Sequence, residues 1–199
     1  MLTAGRVARV LTLAALFGVV AAVVKGTGPD ALRSEVGNLS APWVVVALVG
    51  GSVTRSWRIG ALLGAVTTLV ALLAFCSAVT VMSDLGHHGA IGDLVLVLRA
   101  NGYYLAFGAV TGPVFGAVGA RSRRGGRSTM FIVGGMLFAL EPLVVRADQA
   151  VRPPVPVLGQ WAAGNTAVFA VEAVVGLVCV GAAVLARLRA GSRHERSAE

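Results

Sequence analysis

Two carboxylates stand inside long apolar stretches of this sequence. Glu172 lies within the run Ala170–Val174, and Glu141 lies within Phe138–Leu143, directly before Pro142. A carboxylate at membrane depth costs about 3 kcal/mol on insertion scales, so it usually faces a partner or a water-filled cavity. Pro142 removes a backbone donor beside Glu141 and can kink a helix there. Both glutamates are therefore candidate ligand-binding residues, for a proton, a cation or a small polar molecule.

Each glutamate also has a purely structural interpretation. Glu141 lies near the end of its apolar stretch, where headgroups would solvate it or Arg146, five residues on, would pair with it. Glu172, near the middle of its stretch, would instead form an ion pair or hydrogen bond with another span. The sequence leaves both pairs of alternatives open.

A polar and aromatic group opens the fourth apolar stretch. Asn101, Tyr103 and Tyr104 follow Arg99. Tyrosines at the end of a span are typically anchors at the membrane interface. The alternative is an aromatic wall that faces Glu141 and contributes to a binding site.

The same stretch contains a glycine face. Gly108, Gly112 and Gly116 are four residues apart, which places them on one side of a helix. Small residues at this spacing allow helix backbones to approach closely. The spacing predicts helix packing, either within the chain or against a partner protein or a second copy.

Other chemistry is not indicated. The sequence has no glycine-rich phosphate loop, nucleophile elbow or HExxH motif, so we expect no catalytic residue, no cofactor and no enzyme activity. His87 and His88, with Asp84 and Asp93, match no zinc spacing and are predicted to be solvated loop residues rather than metal ligands. The two cysteines, Cys76 and Cys179, lie in apolar stretches and are expected to be buried thiols.

The elements that must position these residues are six apolar stretches. The chain has 199 residues, of which 56% are hydrophobic and 13% charged, against about 25% charged residues in soluble domains. Lipid permits only helices or closed barrels, and these runs are too long for barrel strands. We predict an all-α polytopic membrane protein with one domain (1–186) and a polar cytoplasmic tail (187–199). The expected spans are residues 7–24, 41–54, 59–82, 101–120, 130–145 and 161–186. Residues 93–99 form either an interfacial helix or the first turns of the fourth span.

The basic residues indicate the orientation. Twelve of the 17 Lys and Arg residues precede the first stretch, follow the sixth or fall in the second and fourth gaps. Short arginine-rich loops stay on the cytoplasmic side, so both termini are predicted to be cytoplasmic. The expected partners are the lipid bilayer and anionic headgroups at these arginines, which explain the net charge of +8 better than nucleic acid does. A membrane-protein partner or a homo-oligomer stays open.

Three segments carry a resemblance to a known family. They are Gly37–Trp43, Thr111–Gly119 and Glu141–Leu143. Together they resemble an uncharacterised family of small multispan membrane proteins from high-GC actinobacteria, known as a domain of unknown function. The resemblance implies a bacterial plasma membrane and roughly this number of spans. It transfers no catalytic residue.

Three functions fit these observations. The first is a small permease or substrate-binding membrane component whose pocket is lined by Glu172 and Glu141. The second is a structural or accessory membrane protein that packs through the glycine face. A membrane enzyme acting on lipid ranks last, because no cluster of catalytic residues is present.

The orientation is tested by reporter fusions. Fusions after Arg58, Arg127 and Arg189 should report the cytoplasm, and fusions near Gly28, His88 and Pro154 should report the outside. An external signal at Arg124 would overturn the orientation, because four arginines (121, 123, 124 and 127) surround that point.

Overall fold

The computed structural model describes residues 2–26, 39–83, 89–123, 127–150 and 166–196. Within these ranges the chain forms seven helices and no strand. They are α1 (Ala4–Lys25), α2 (Ala41–Ser52), α3 (Trp57–Ser83), α4 (Gly89–Ala100), α5 (Gly102–Ser122), α6 (Arg127–Ala150) and α7 (Thr166–Arg196).

Five of the helices are long and apolar enough to cross a membrane. They are Ala4–Lys25, Trp57–Ser83, Gly102–Ser122, Ser128–Ala147 within α6, and Ala167–Arg189 within α7. Large apolar side chains on these helices are exposed, among them Leu13, Leu62, Val110 and Leu177. An apolar exterior along long helices is what a lipid environment requires. The chain is therefore an all-helical protein of multi-pass membrane type.

Helix α2 is the exception. It was expected to be a span over residues 41–54, but it has 12 residues. At 1.5 Å per residue its length is about 18 Å, whereas the hydrocarbon core is about 30 Å thick. One end of α2 must therefore lie inside the apolar layer if the other end is at its surface.

Helix α4 accounts for residues 93–99. They belong to a separate helix that ends at Ala100, and the chain leaves helical geometry at Asn101 before α5 begins. The prediction that Asp93 is a solvated loop residue was wrong: it is 5% exposed. The amphipathic α4 packs against α3 and turns Asp93 inward together with Val97.

Glycines bring α2, α3 and α5 close together. Gly112 and Gly116 of α5 lie directly against Gly64 of α3, so that a Cβ on Gly116 would be 2.7 Å from Gly64 Cα. Gly51 of α2 also meets Gly116, and a Cβ there would be 2.6 Å from Gly116 Cα. Gly108 lies on Leu72 and Thr68 of α3. The glycine face of α5 is thus covered by helices of the same chain.

Helices α6 and α7 form a hairpin that packs mainly on itself. The two helices touch through Gly135 and Gly176, where a Cβ on Gly135 would lie 2.6 Å from the Gly176 carbonyl oxygen. Between the hairpin and α2 lies an apolar cavity of about 400 Å³, lined among others by Leu48, Phe138 and Val175. Contact between the hairpin and the other helices is therefore limited. Each polar contact between them then contributes a larger share of the energy that holds the hairpin in place.

The glycine contacts lead to a matched pair of substitutions in α5. Gly116→Ala should destabilise the fold by about 1–3 kcal/mol, because the added methyl group would displace the backbone of α3. Gly102→Ala, in the same helix, should be neutral, since nothing lies within 4 Å of its Cβ position. Thermal unfolding in a mild detergent measures both. Equal stability of the two variants would contradict the close packing.

Candidate functional site

The start of α2 is bound by a carboxylate from a distant helix. Glu141 of α6 accepts three hydrogen bonds there. The Ser40 N–H donates to Oε1 at 2.6 Å and the Ser40 hydroxyl donates to the same oxygen at 2.5 Å. The Ala41 N–H donates to Oε2 at 2.6 Å. Glu141 is 8% exposed, so these bonds form in a nearly dry environment.

This arrangement follows from the local sequence. The first N–H groups of any helix lack an intrahelical acceptor, and Pro42 reduces their number because it has no N–H. Ser40 occupies the N-cap position but makes no side-chain cap bond, because its hydroxyl donates to Glu141 instead. Glu141 is the cap of α2 in place of Ser40, and its negative charge suits the positive end of the helix. Its hydrogen-bond donors are Ser40 and Ala41 rather than Arg146, the partner considered from sequence.

The opposite end of α2 is held by a cation. Arg123, directly after α5, donates from Nη1 to the carbonyl oxygen of Val53 at 2.5 Å. Val53 is the C-cap residue of α2, and a positive side chain stabilises this negative end of a helix. Helix α2 is thus bound at both ends by side chains of opposite charge from other parts of the chain.

Glu172 is a second carboxyl group next to Glu141. It lies on α7 beside Glu141 and is 4% exposed. Neither of its oxygens has a hydrogen-bond partner among the described residues. It borders a cavity of about 380 Å³ between α6 and α7 that is otherwise lined by apolar residues, Leu39, Phe138 and Val171 among them. Glu172 lies in the second turn of the described helix α7 (Thr166–Arg196), while residues 161–165 of the expected span lie outside the described residues.

Another cavity lies on the other side of the α2 start. It has a volume of about 50 Å³ and is bordered by α1, α2, α3 and α5, which is room for about three or four waters. Its polar lining includes Lys25, Ser40, Asn101 and Thr111, and its aromatic lining includes Trp43, Phe75, Tyr104 and Phe107. We call it the α2 cavity.

Aromatic packing shapes the wall of the α2 cavity. The Trp43 ring meets Phe17 edge-on at 5.0 Å and Phe75 edge-on at 5.6 Å. The Lys25 ammonium lies 5.6 Å from the centroid of the Phe75 ring. Such a cation–π contact keeps the Lys25 ammonium next to the Phe75 ring in the wall of the cavity. The α2 cavity thus combines one cation with several rings.

The structure separates the predicted site residues into two groups. Asn101 and Tyr104 line the α2 cavity, whereas Tyr103 is 62% exposed and faces away. Glu141 and Glu172 lie together on the hairpin side. Ser40 connects the groups, because it lines the α2 cavity and donates to Glu141.

Sequence reasoning missed Lys25, Trp43 and Arg123. Lys25 follows an apolar run of 15 residues, which was a signal for a cation at a span end. No local signal indicates that Trp43 turns inward or that Arg123 reaches Val53, because both depend on how the helices pack.

Metal-ligating groups are sparse in the part of the chain that the structure describes. It contains no cluster of three or more His, Cys, Asp or Glu side chains that could hold a metal ion. His87 and His88 lie outside the described residues. Cys76 is a free, buried thiol that borders the α2 cavity, and Cys179 is free and half-buried.

A comparison with family profiles identifies the chain. Residues 1–140 of 199 match DUF6518, described as a family of unknown function. The chain belongs to this family. In this DUF6518 protein the match covers α1 to α5 and the first half of α6, while Glu141 and Glu172 follow it. No curated protein and no solved structure is similar enough to match.

The cap on α2 leads to an ordered series of variants. Glu141→Leu should lower the free energy of unfolding most, by about 3–5 kcal/mol, because it leaves two N–H groups and one hydroxyl buried without an acceptor. Glu141→Gln keeps one acceptor oxygen and should cost less. Ser40→Ala removes one donor and should cost least, about 1 kcal/mol.

Thermal unfolding in mild detergent ranks the three variants. Leu143→Ala is the control, since Leu143 is exposed on the same helix and its truncation should have little effect in detergent. A Glu141→Leu variant as stable as the unaltered protein would show that α2 does not need the carboxylate.

Proposed function

We propose that this protein is a substrate-binding component or small permease of the bacterial plasma membrane. It makes six passes, one of them completed by the residues that flank the short α2, and both termini lie in the cytoplasm. Its ligand site is the α2 cavity. One observation carries the proposal: a helix too short to cross the bilayer starts beside a cavity lined by a lysine and aromatic rings.

Short or interrupted membrane helices support a binding role. In transporters, discontinuous helices place their ends near the bilayer midplane, where helix termini and freed backbone groups contact the solute. Helix α2 has this character, since it is about 12 Å shorter than the hydrocarbon core. Its first residues are bound by the Glu141 carboxylate, so a change in that contact acts on the start of α2.

The lining of the α2 cavity indicates the class of ligand. Lys25 offers a positive charge and Asn101 a hydrogen-bonding amide, while Trp43, Phe75 and Tyr104 offer apolar faces. This set suits a small organic anion with an apolar or aromatic body. The cavity has a volume of about 50 Å³, which is too small for such a molecule, so binding requires the start of α2 or Tyr104 to shift.

The structural alternative finds less support. The glycine face proposed for a partner or a second copy is covered by α2 and α3 of the same chain. A role in binding or transport is also preferred over an enzyme, because the lining of the cavity is mainly apolar and aromatic, as in sites that bind a ligand. Anionic lipid headgroups at the cytoplasmic arginines remain part of this proposal.

The ligand class is tested with matched pairs of small molecules. Benzoate and hexanoate should raise the thermal unfolding temperature of the purified full chain, and their uncharged amides should not. A ligand at 100 times its Kd stabilises by about 2.7 kcal/mol. Lys25→Met should lose the response, because it removes the charge and keeps the length of the side chain.

Arg58→Met is the control. Arg58 lies over the exposed ring of Trp57, away from the α2 cavity, so this variant should respond as the unaltered protein does. The proposal is wrong if each amide stabilises as well as its carboxylate, or if Lys25→Met retains the full response.

A further inference from the structure

We propose that Glu172 is an exchangeable proton-binding site, and that its proton lies between Glu172 and the Glu141 carboxylate that holds the start of α2. Such a site goes beyond the proposed function and is independent of which ligand the α2 cavity takes. It rests on the different hydrogen-bonding environments of two adjacent, buried carboxyl groups.

The two carboxyls differ in their donors. Glu141 receives three hydrogen bonds and lies at the positive end of α2, which are the conditions that stabilise a negative charge. Glu172 is more deeply buried, and neither oxygen has a partner in the described chain. An ionised Glu172 would be an uncompensated charge beside a second one of the same sign. A proton on Glu172 removes that charge and supplies a donor toward Glu141.

A proton suits this site better than a metal ion. Sodium, magnesium or calcium would need several oxygen ligands, and the Glu141 oxygens already accept three hydrogen bonds. The rest of the cavity next to Glu172 is lined by apolar side chains. That cavity also gives a route for exchange: the carboxylate takes one proton from water that enters it and returns the proton the same way.

Within the described ranges, the charged group that acts on Glu172 is Glu141. Helix α2 has no ionisable side chain, and on α6 Arg146 is exposed. On α7 the next titratable side chain is Cys179, about two turns away. From α5 and α1, Arg123 binds the far end of α2, and Tyr104 and Lys25 line the α2 cavity.

Loss of the proton has a structural consequence. A second negative charge beside Glu141 would repel it, and Glu141 binds the start of α2 to the hairpin. Ser40 and Trp43, which begin α2, line the α2 cavity. Proton exchange at Glu172 is therefore coupled to the wall of that cavity through Glu141.

Dicyclohexylcarbodiimide tests the proton directly, because it reacts with a protonated carboxyl in an apolar site: the acid adds across the carbodiimide and forms a stable acylurea. The full chain in mild detergent is treated over a range of pH, and labelled peptides are quantified by mass spectrometry. Glu172 should be labelled several-fold more than Glu141. The labelling should fall about tenfold per pH unit once the site has lost its proton.

Thermal stability against pH is the second measurement. An unfolded glutamate releases its proton above about pH 4.3, whereas the folded chain retains one at Glu172. The folded state then binds more protons, so stability must fall as the pH rises. Glu172→Gln stays neutral at all pH values, so it should fold, resist labelling and lose this slope.

Four results would overturn the proposal. The first three are labelling of Glu141 rather than Glu172, absence of labelling at Glu172 at every pH, and a pH slope in Glu172→Gln equal to that of the unaltered protein. Protection of Glu172 by sodium chloride but not choline chloride, independent of pH, would assign the site to a metal cation and also overturn it.

Discussion

The backbone N–H groups at the start of α2 have no acceptor within their own helix, and this need for an acceptor constrains the rest of the structure. A helix of 12 residues cannot place both ends in water if it lies among membrane-spanning neighbours. Buried N–H groups without an acceptor cost several kcal/mol in lipid. Glu141 accepts from Ser40 and Ala41 and so removes that cost. The same hydrogen bonds offset the desolvation cost of the carboxylate. The helix start and the glutamate therefore each offset the cost of burying the other in an apolar environment.

The position of α2 then separates the α2 cavity from the pair of carboxyl groups. Glycines let it approach α5, where Gly119 lies on the Leu48 backbone and Gly51 meets Gly116. Arg123 donates to the carbonyl oxygen of Val53, the C-cap residue of α2. With the helix held this way, its first residues form a wall between two spaces. On one side are the rings and the lysine of the α2 cavity, and on the other is the carboxyl pair.

The family match and the site divide the chain differently. The DUF6518 profile ends at residue 140, so the α2 cavity is built from helices inside the matched part. Glu141 and Glu172 come after it, yet Glu141 completes the matched part by capping α2. Ser40 lines the α2 cavity and donates a hydrogen bond to Glu141, which lies beside the Glu172 cavity. Any coupling between the two cavities would therefore involve Ser40.

The sequence by itself determined what local composition and spacing can determine. Apolar runs indicated helices of membrane length, the four-residue glycine spacing indicated one packed face, and two acids in apolar runs indicated unusual positions. Tertiary structure decided which of these groups meet. That Glu141 caps α2, that Glu172 lies beside it, that Tyr104 faces a cavity while Tyr103 does not, and that Asp93 is buried all depend on the rotation and register of one helix against another. These are set by packing between residues that are distant in the sequence, 101 positions apart for Ser40 and Glu141, and no local pattern encodes them.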